Sequence, residues 1–430
     1  MANKLKKHIG LIILLAIALV FPTSLNYQAR LNMRIIVTGL AIDKSGEDYQ
    51  ITAQVVKTSP GNEKPGTSAE VDFITDKAPN LSEAVSKLSY KAGKVSAFSH
   101  TNFVILGNSL FEEDVTKCLD YFIRDKIIKN SALILFAGEK AEDEIKKTKN
   151  TELTVGIGLQ KVFLFKENEG DGLMITLIDF LNQNKMYSKS AVASELSFHT
   201  NEESKKGEDT SSGGSSGSSS SGSETSSQTS SSGSSGGSSS NSSSGGGGQS
   251  EQQYFDPEAS IVCFVDGKFV GKLEDEKAIE GYMLANKKTK MSDILIEDVK
   301  AGRLDGDKIE VVVKKKKDTL KGIFEGDNPT LEMKIKITKC EINEIMTDDV
   351  IASLTDEEFD AVKKGLKKHI CECVEKCFNT SKEMGLDVFN AYEIAYKKHY
   401  KKTTEDFSDY SEFLSKLQLK VEVDVLQMDY

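Results

Sequence analysis

Hydrophobic and polar residues alternate over several stretches of the chain, which is typical of β-strands with one face on a core and the other in water. The strictest case is residues 417–425, where Leu or Val occupies every odd position and Gln, Lys, Glu and Asp occupy the even ones. Residues 331–338 follow the same pattern, and two β-rich runs, 34–42 and 49–58, flank a turn-forming Asp-Lys-Ser-Gly sequence. These patterns predict a hairpin near the beginning of the chain and an amphipathic sheet near its end.

Other stretches follow the helical repeat. Apolar residues at positions 359, 362, 366, 370, 374 and 378 form one stripe, which predicts a helix over residues 356–384. A second helix is predicted to begin near Asp387, a good N-cap residue. In the first half, helices predicted from Asn80 or Ser82, over 113–124 and from about Lys140 alternate with short buried strands. The sequence therefore predicts an α+β, multidomain fold with mixed sheets, each covered by helices.

Between residues 201 and 253 the sequence consists almost entirely of Ser and Gly. Such a segment cannot bury enough apolar surface to offset the entropy of ordering it, so residues 200–253 are predicted to be a disordered linker. A modified or wall-interacting stalk is the alternative that Ser richness permits.

This composition divides the chain. We predict an N-terminal domain over residues 31–199 and a C-terminal region over 254–430. The C-terminal region is divided into a small subdomain at about 254–300 and a larger one at about 301–430. The small subdomain begins with two β-rich runs on either side of Asp266 and Gly267, which predict a hairpin with a type I′ turn. The two folded parts are expected to be independent bodies.

The first 29 residues have the composition of a signal peptide or signal anchor. Lys4, Lys6 and Lys7 precede an uncharged apolar run of 13 residues at positions 9–21. With residues 22–25 the run reaches about 17 residues, the short limit of a membrane span. An uncleaved anchor is the prediction, and cleavage after Ala29 is the alternative.

Charge and cysteine content exclude some classes of protein. The formal net charge of −11 argues against a nucleic-acid partner, which requires a basic face. The six cysteines, at positions 118, 263, 340, 371, 373 and 377, lack the spacing of a disulfide framework and are expected to be ordinary thiols.

The sequence contains no nucleophile elbow, P-loop, zinc-protease or dinucleotide-binding motif, so we predict no catalytic residue and no cofactor site. One row has ligand chemistry: His369, Cys373 and Cys377 recur every four residues and share a helix face, where they could hold a soft metal ion. The row borders an apolar stripe, however, and cysteine also serves there as a small hydrophobic residue. We therefore predict no metal site and keep this row as a weak candidate. A run of four lysines at 314–317 is expected to be a solvated strand end, or alternatively a contact for anionic lipid.

Several blocks of sequence carry a resemblance to a known family. They include VTGLAIDK, NLSEAVSKL, SHTNFVILGNSLFEEDVTKCLDYFIRD and SALILFAGEKAEDEI in the first half, and ASIVCFVDGKFVGKL, GLDVFNAYEIAYKKHY and LKVEVDVLQ in the second. In this order they resemble the Ger(x)C family, the C subunits of nutrient germinant receptors in spore-forming bacteria. The resemblance covers nearly everything except the N-terminal run and the Ser/Gly segment.

The resemblance implies a non-enzymatic, exported protein on the outer face of the spore inner membrane. Its implied partners are integral-membrane A- and B-type receptor subunits and the membrane surface. Family members usually have a lipidated cysteine after the apolar run, but this chain has Thr23, Ser24 and Leu25 there, so no lipidation residue is predicted. The family tail also typically has Gly where this chain has Asn390. A generic exported envelope protein that binds or adheres, and an envelope metalloprotein, are the alternative functions.

Overall fold

The computed structural model describes residues 33–56, 71–124, 127–148, 157–170, 172–196, 260–346 and 353–430. The signal or anchor segment and the Ser/Gly linker lie outside these ranges. The described ranges form mixed β-sheets covered by helices, which confirms the predicted α+β class. No helix in them combines the length and the apolar character needed to cross a bilayer.

The first sheet contains nine strands in the described part of the chain. In chain order they are β1 Arg34–Ser45, β2 Asp48–Val56, β3 Val71–Ala78, β4 Val95–Ala97, β5 Phe103–Leu106, β6 Leu133–Ala137, β7 Ser190–Leu196, β8 Ile261–Val265 and β9 Lys268–Leu273. Their spatial order is β3-β2-β1-β5-β6-β7-β8-β9, and β4 pairs with β1. The central strands β1, β5, β6 and β7 are parallel, and the outer neighbours on both sides are antiparallel.

Helices cover both faces of the first sheet, which is why the central strands β5 and β6 are wholly apolar rather than alternating. These helices are α1 Leu81–Ala92, α2 Val115–Arg124, α3 Ala141–Lys147, α4 Ile157–Glu169 and α5 Leu177–Asn184. Helices α1, α2 and α5 contribute to the larger core, and α3 and α4 pack on the opposite face in a second core. Helix α1 begins as predicted, since the Asn80 side chain accepts a hydrogen bond from the Glu83 amide.

The predicted hairpin around Asp266 and Gly267 is present, and both residues have positive φ, 51° and 76°, as a type I′ turn requires. Its location differs from the prediction. Strand β8 pairs antiparallel with β7, from before the Ser/Gly segment, so the hairpin extends the first sheet instead of forming a subdomain with the C-terminal region. The predicted boundary at residue 254 therefore falls inside one sheet. The larger core also includes buried residues of both sheets.

The second sheet lies entirely in the C-terminal half. It consists of β10 Ser292–Ala301, β11 Leu304–Glu325, β12 Asn328–Met346, β13 Gln418–Val425 and the short β14 Met428–Asp429. Strands β10, β11 and β12 form an antiparallel meander, whereas β13 and β14 are parallel to β12. The helices of this half are α6 Glu276–Ala285, α7 Asp356–Glu383, α8 Ala391–Lys398, α9 Tyr400–Glu405 and α10 Tyr410–Lys416.

Helix α7 confirms its predicted bounds and begins with a capping box. Thr355 and Glu358 each accept a hydrogen bond from the other's backbone amide. Arg303 also donates to both carboxylate oxygens of Glu358, over 3.0 Å and 2.7 Å. The Arg303 guanidinium, followed by the Thr355 amide, holds the pKa of Glu358 far below its usual range. The carboxylate is therefore ionised in the fold and stabilises the start of α7.

The next helix begins later than predicted, at Ala391 instead of near Asp387. Asn390 has the left-handed conformation, with φ 56° and ψ 38°, so the helix cannot begin before it. The resemblance leads one to expect glycine at this position, and asparagine is among the few other residues that accept the left-handed conformation readily. Asp387 still caps the helix from a distance, accepting hydrogen bonds from the amides of Ala391 and Tyr392. Burial raises the pKa of Asp387 to about 6.

The lysine run at 314–317 contains a buried ion pair, so the expectation of a solvated strand end is wrong for Lys316. Its side chain is only 2% exposed and its ammonium lies 2.6 Å from Asp318. The same ammonium donates to the carbonyl oxygens of Leu284 and Asn286, at the C-terminal end of α6. Lys316 therefore caps α6 and fixes this helix on strand β11.

Candidate functional site

Helices α6 and α7 cross with their backbones in close contact. Gly281 on α6 lies against the main chain of Cys373 on α7, and a Cβ atom at Gly281 would come within 2.0 Å of the Cys373 carbonyl oxygen. A larger residue would push the helices apart, so glycine is required for this approach. The residue before Gly281, Glu280, is consequently held beside one turn of α7.

Three ligand-type side chains meet at this crossing, and we call them the Glu–His–Cys cluster: Glu280 from α6, and His369 and Cys373 from α7. Glu280 Oε2 lies 2.9 Å from His369 Nε2, and the Cys373 thiol donates to the same oxygen over 3.3 Å. Cys373 Sγ and His369 Nε2 are 3.4 Å apart. The two α7 residues reach the same point because they are four positions apart on one helix.

The cluster is shielded from water but not sealed. Cys373 is fully buried, whereas Glu280 and His369 are each partly exposed. Burial raises the pKa of the Cys373 thiol strongly, and the neighbouring Glu280 carboxylate raises it further. The thiol is therefore protonated at neutral pH, which is the opposite of what a catalytic nucleophile requires.

A groove of about 660 Å³ opens beside the cluster, between α6, α7 and strand β10. Glu280 and His369 form part of its wall. Six carboxylates and four lysines line it: Glu276, Glu280, Asp293, Glu297, Asp298 and Glu372, with Lys277, Lys300, Lys364 and Lys368. The carboxylates outnumber the ammonium groups, so the groove favours cations over anions.

The structure separates the predicted row of His369, Cys373 and Cys377. Cys377 lies outside the cluster and is fully buried within the larger core, where it acts as a small hydrophobic residue. Glu280 takes the third place, which the spacing of residues along one helix could not reveal because Glu280 lies on a different helix. The signal in the sequence was indirect: a Glu followed by Gly on a short helix, where the Gly permits close helix contact. None of the six cysteines forms a disulfide, as expected.

The other described histidines do not join this cluster. His100 is exposed, and His399 lies 3.1 Å from the Gly322 carbonyl oxygen and packs edge-on against Phe324. His8 and His199 lie outside the described residues. The Glu–His–Cys cluster is thus the candidate site that the described part of the chain offers for ligand chemistry.

Two family models match the chain in consecutive order. The model for the spore germination protein N-terminal domain matches residues 27–197. The model for the C-terminal domain described as spore germination B3/GerAC like matches residues 260–426. The chain belongs to the Ger(x)C family of spore germination proteins. The expected resemblance is confirmed, and the matches leave out the Ser/Gly segment.

Comparison with solved structures gives one significant similarity, to the crystal structure of the GerBC protein. The two chains are 15% identical, with a TM-score of 0.48, and the alignment covers 90% of this chain and 97% of the other. No curated protein matches the chain significantly.

This Ger(x)C protein also has an exposed apolar patch where its described part begins. We call it the Tyr90 patch, and it consists of Met33, Tyr90 and Val95, which are 59%, 82% and 62% exposed. Strand β4 pairs with the start of β1, so Met33 and Val95 lie at one end of the first sheet, and Tyr90 lies in the last turn of α1, which leads through a tight turn into β4. Arg34 and Lys94 lie beside it in sequence, and neither has an ion-pair partner among the described residues. Exposed apolar residues with adjacent basic ones are typical of a surface that contacts membrane lipid.

Proposed function

We propose that this chain is a non-catalytic subunit of a spore germinant receptor complex at the spore inner membrane. The observation that carries the proposal is the pair of family matches, to an N-terminal and a C-terminal germination domain in the order expected for one such protein. The thiol of Cys373, which burial and the neighbouring Glu280 carboxylate keep protonated, agrees with a role without catalysis.

The partners in this proposal are integral-membrane A- and B-type receptor subunits and the membrane surface. The Tyr90 patch supports the membrane contact, because the chain before Met33 includes the lysine-flanked apolar run at residues 9–21. Because the first cysteine after that run is the distant Cys118, we propose that the run itself is retained as a signal anchor, with its lysines inside. The globular part then lies on the outer face of the inner membrane.

The proposal is tested by purifying the affinity-tagged full chain from dormant-spore membranes in mild detergent and identifying what accompanies it. We expect two multi-span proteins to co-purify with the chain, and deletion of its gene to abolish the response of spores to at least one nutrient. A chain found in the coat or medium, without membrane proteins, would instead favour an exported envelope protein that binds or adheres.

The anchor is tested separately by determining the intact mass and the N-terminal sequence of the native protein. We expect the lysine-flanked run to be present. A mature chain beginning near Arg30 would overturn the anchor and leave the receptor subunits and the Tyr90 patch as the contacts that hold the protein.

The patch has its own matched pair of variants, made in a chain that begins at Arg30, because a retained anchor would hold every variant of the full chain on the membrane. Tyr90→Glu should increase the fraction released from membranes by a high-salt wash, because it places a charge on the proposed lipid contact. The control Tyr187→Glu changes another exposed tyrosine, which is 53% exposed and lies outside the patch. This variant should not increase the released fraction. Equal release of both variants would contradict the lipid contact.

A further inference from the structure

The Glu–His–Cys cluster has the ligand types and the spacing of a transition-metal site. In a tetrahedral zinc site with Zn–N, Zn–O and Zn–S bonds of about 2.0–2.3 Å, neighbouring ligand atoms are about 3.3–3.6 Å apart. The three distances between ligand atoms in the cluster are 2.9 Å, 3.3 Å and 3.4 Å. These atoms therefore need to move apart by only a few tenths of an ångström to surround an ion. We propose that Glu280, His369 and Cys373 bind one Zn²⁺ ion.

The site is built into the helix crossing and does not depend on flexible loops. Gly281 sets the approach of α6 to α7, and that approach places Glu280 against the i,i+4 pair on α7. Lys316 fixes the other end of α6 by capping its last carbonyl groups. Ligands held in this way lose little freedom on binding, which favours affinity.

One polar atom of the cluster has an unused lone pair. Glu280 Oε1 is buried and accepts no hydrogen bond from the described residues. A buried carboxylate oxygen without a donor is costly, and a metal ion bound by the same carboxylate would compensate for it. This observation is independent of the three ligand distances.

The charge of the site also fits a divalent cation. On binding, the Cys373 thiol transfers its proton to solvent and becomes a thiolate, His369 binds as the neutral imidazole, and Glu280 is anionic. Two negative ligands and Zn²⁺ give a neutral complex, at the edge of a groove with excess carboxylate. A thiolate with an imidazole selects zinc-like ions over Mg²⁺ and Ca²⁺, which prefer oxygen ligands.

Three protein ligands leave the fourth tetrahedral position free. Because Glu280 and His369 line the groove, that position faces the groove and is available to water or to a ligand bound there. The proposal does not depend on the receptor role, since it concerns the α6–α7 crossing alone.

The test uses the full chain, purified in detergent, stripped with a chelator and titrated with Zn²⁺ in competition with a chromophoric chelator. We expect one equivalent of Zn²⁺ to bind. Replacing Zn²⁺ by Co²⁺ should produce a near-ultraviolet thiolate-to-cobalt charge-transfer band, which requires a cysteine ligand. Mg²⁺ should not compete.

Variants assign the ligands. Cys373→Ser, His369→Gln and Glu280→Gln should each weaken Zn²⁺ binding by at least about 100-fold, beyond the 10–100-fold typical of outer-shell changes. Cys371→Ser is the matched control: it is a half-buried cysteine on the same helix, outside the cluster, and it should bind as the parent does. The cobalt band should disappear in Cys373→Ser and remain in Cys371→Ser.

Several outcomes would overturn the assignment. These are the lack of Zn²⁺ binding by the parent chain, unchanged binding in the Cys373→Ser variant, and equal weakening in Cys371→Ser. Circular dichroism without metal checks that each variant folds. If Cys373→Ser does not fold, the Zn²⁺ affinity of Glu280→Gln tests the assignment instead. The Glu280 side chain is partly exposed and the substitution keeps its size, so this variant should fold.

Discussion

Phe264 lies after the Ser/Gly segment in the chain, yet the structure places it in the core of the first sheet. It is fully buried on β8, its ring centroid is 4.6 Å from that of Phe136 on β6, and it meets the Phe180 ring edge-on at 5.4 Å. If this placement is correct, truncating Phe264 should destabilise strands that precede the segment.

The expected cost follows from these contacts. Truncating a buried Phe to Ala costs about 3–5 kcal/mol, and two favourable ring pairs place Phe264→Ala near the middle of that range, about 4 kcal/mol. Since each 1.4 kcal/mol corresponds to about a factor of ten, amide exchange of β6, at Leu133–Ala137, should accelerate by up to about a thousandfold.

Hydrogen exchange with mass spectrometry measures this by peptide. The matched control is Phe413→Ala, which removes an equally buried ring on α10 that packs on Tyr392 at 4.9 Å and Phe407 at 5.3 Å. The control should accelerate exchange in the second sheet more than in β6. Unchanged protection of β6 in Phe264→Ala would refute the pairing of the hairpin with the first sheet and restore two independent bodies.

Three further predictions concern buried charges. Lys316→Met should destabilise the fold by about 3–5 kcal/mol in urea unfolding, because it leaves Asp318 buried without its partner. The control Lys314→Met, at an exposed lysine, should change stability by less than about 1 kcal/mol. The lowered pKa of Glu358 contributes stability that is present above pH 4.5 and is lost as the pH falls. In Glu358→Gln, the urea concentration at the unfolding midpoint should therefore decrease less between neutral and acidic pH than it does in the parent chain. Burial raises the pKa of Asp387 from 3.8 to about 6, so the folded state holds this proton more tightly than the unfolded chain does, and the contribution of Asp387 to stability should rise as the pH falls from above 6 towards 3.8. Asp387→Asn should remove this contribution, and an unchanged plot of stability against pH would contradict the prediction.

Sequence pattern alone determined the local structure of this protein well. The alternation at residues 417–425 became β13, with its Leu and Val side chains turned to the core side, and the stripe from Phe359 to Phe378 became α7. The turn at Asp266 and Gly267 was also correct. These features depend on backbone conformation and on which face of an element is apolar, and both are properties of neighbouring residues.

The tertiary structure decided which elements meet. A strand pattern does not specify its partner, so the pairing of β8 with β7 across the Ser/Gly segment was not visible in the sequence. For the same reason Lys316 looked solvated, although the end of α6 covers it. The candidate site depended most on long-range contact: Glu280 lies 89 residues before His369 and reaches it because Gly281 lets two helix backbones touch. Helical spacing placed Cys377 in line with His369 and Cys373, but the packing of α7 turned Cys377 into the core, whereas His369 lines the groove and Cys373 is buried beside Glu280.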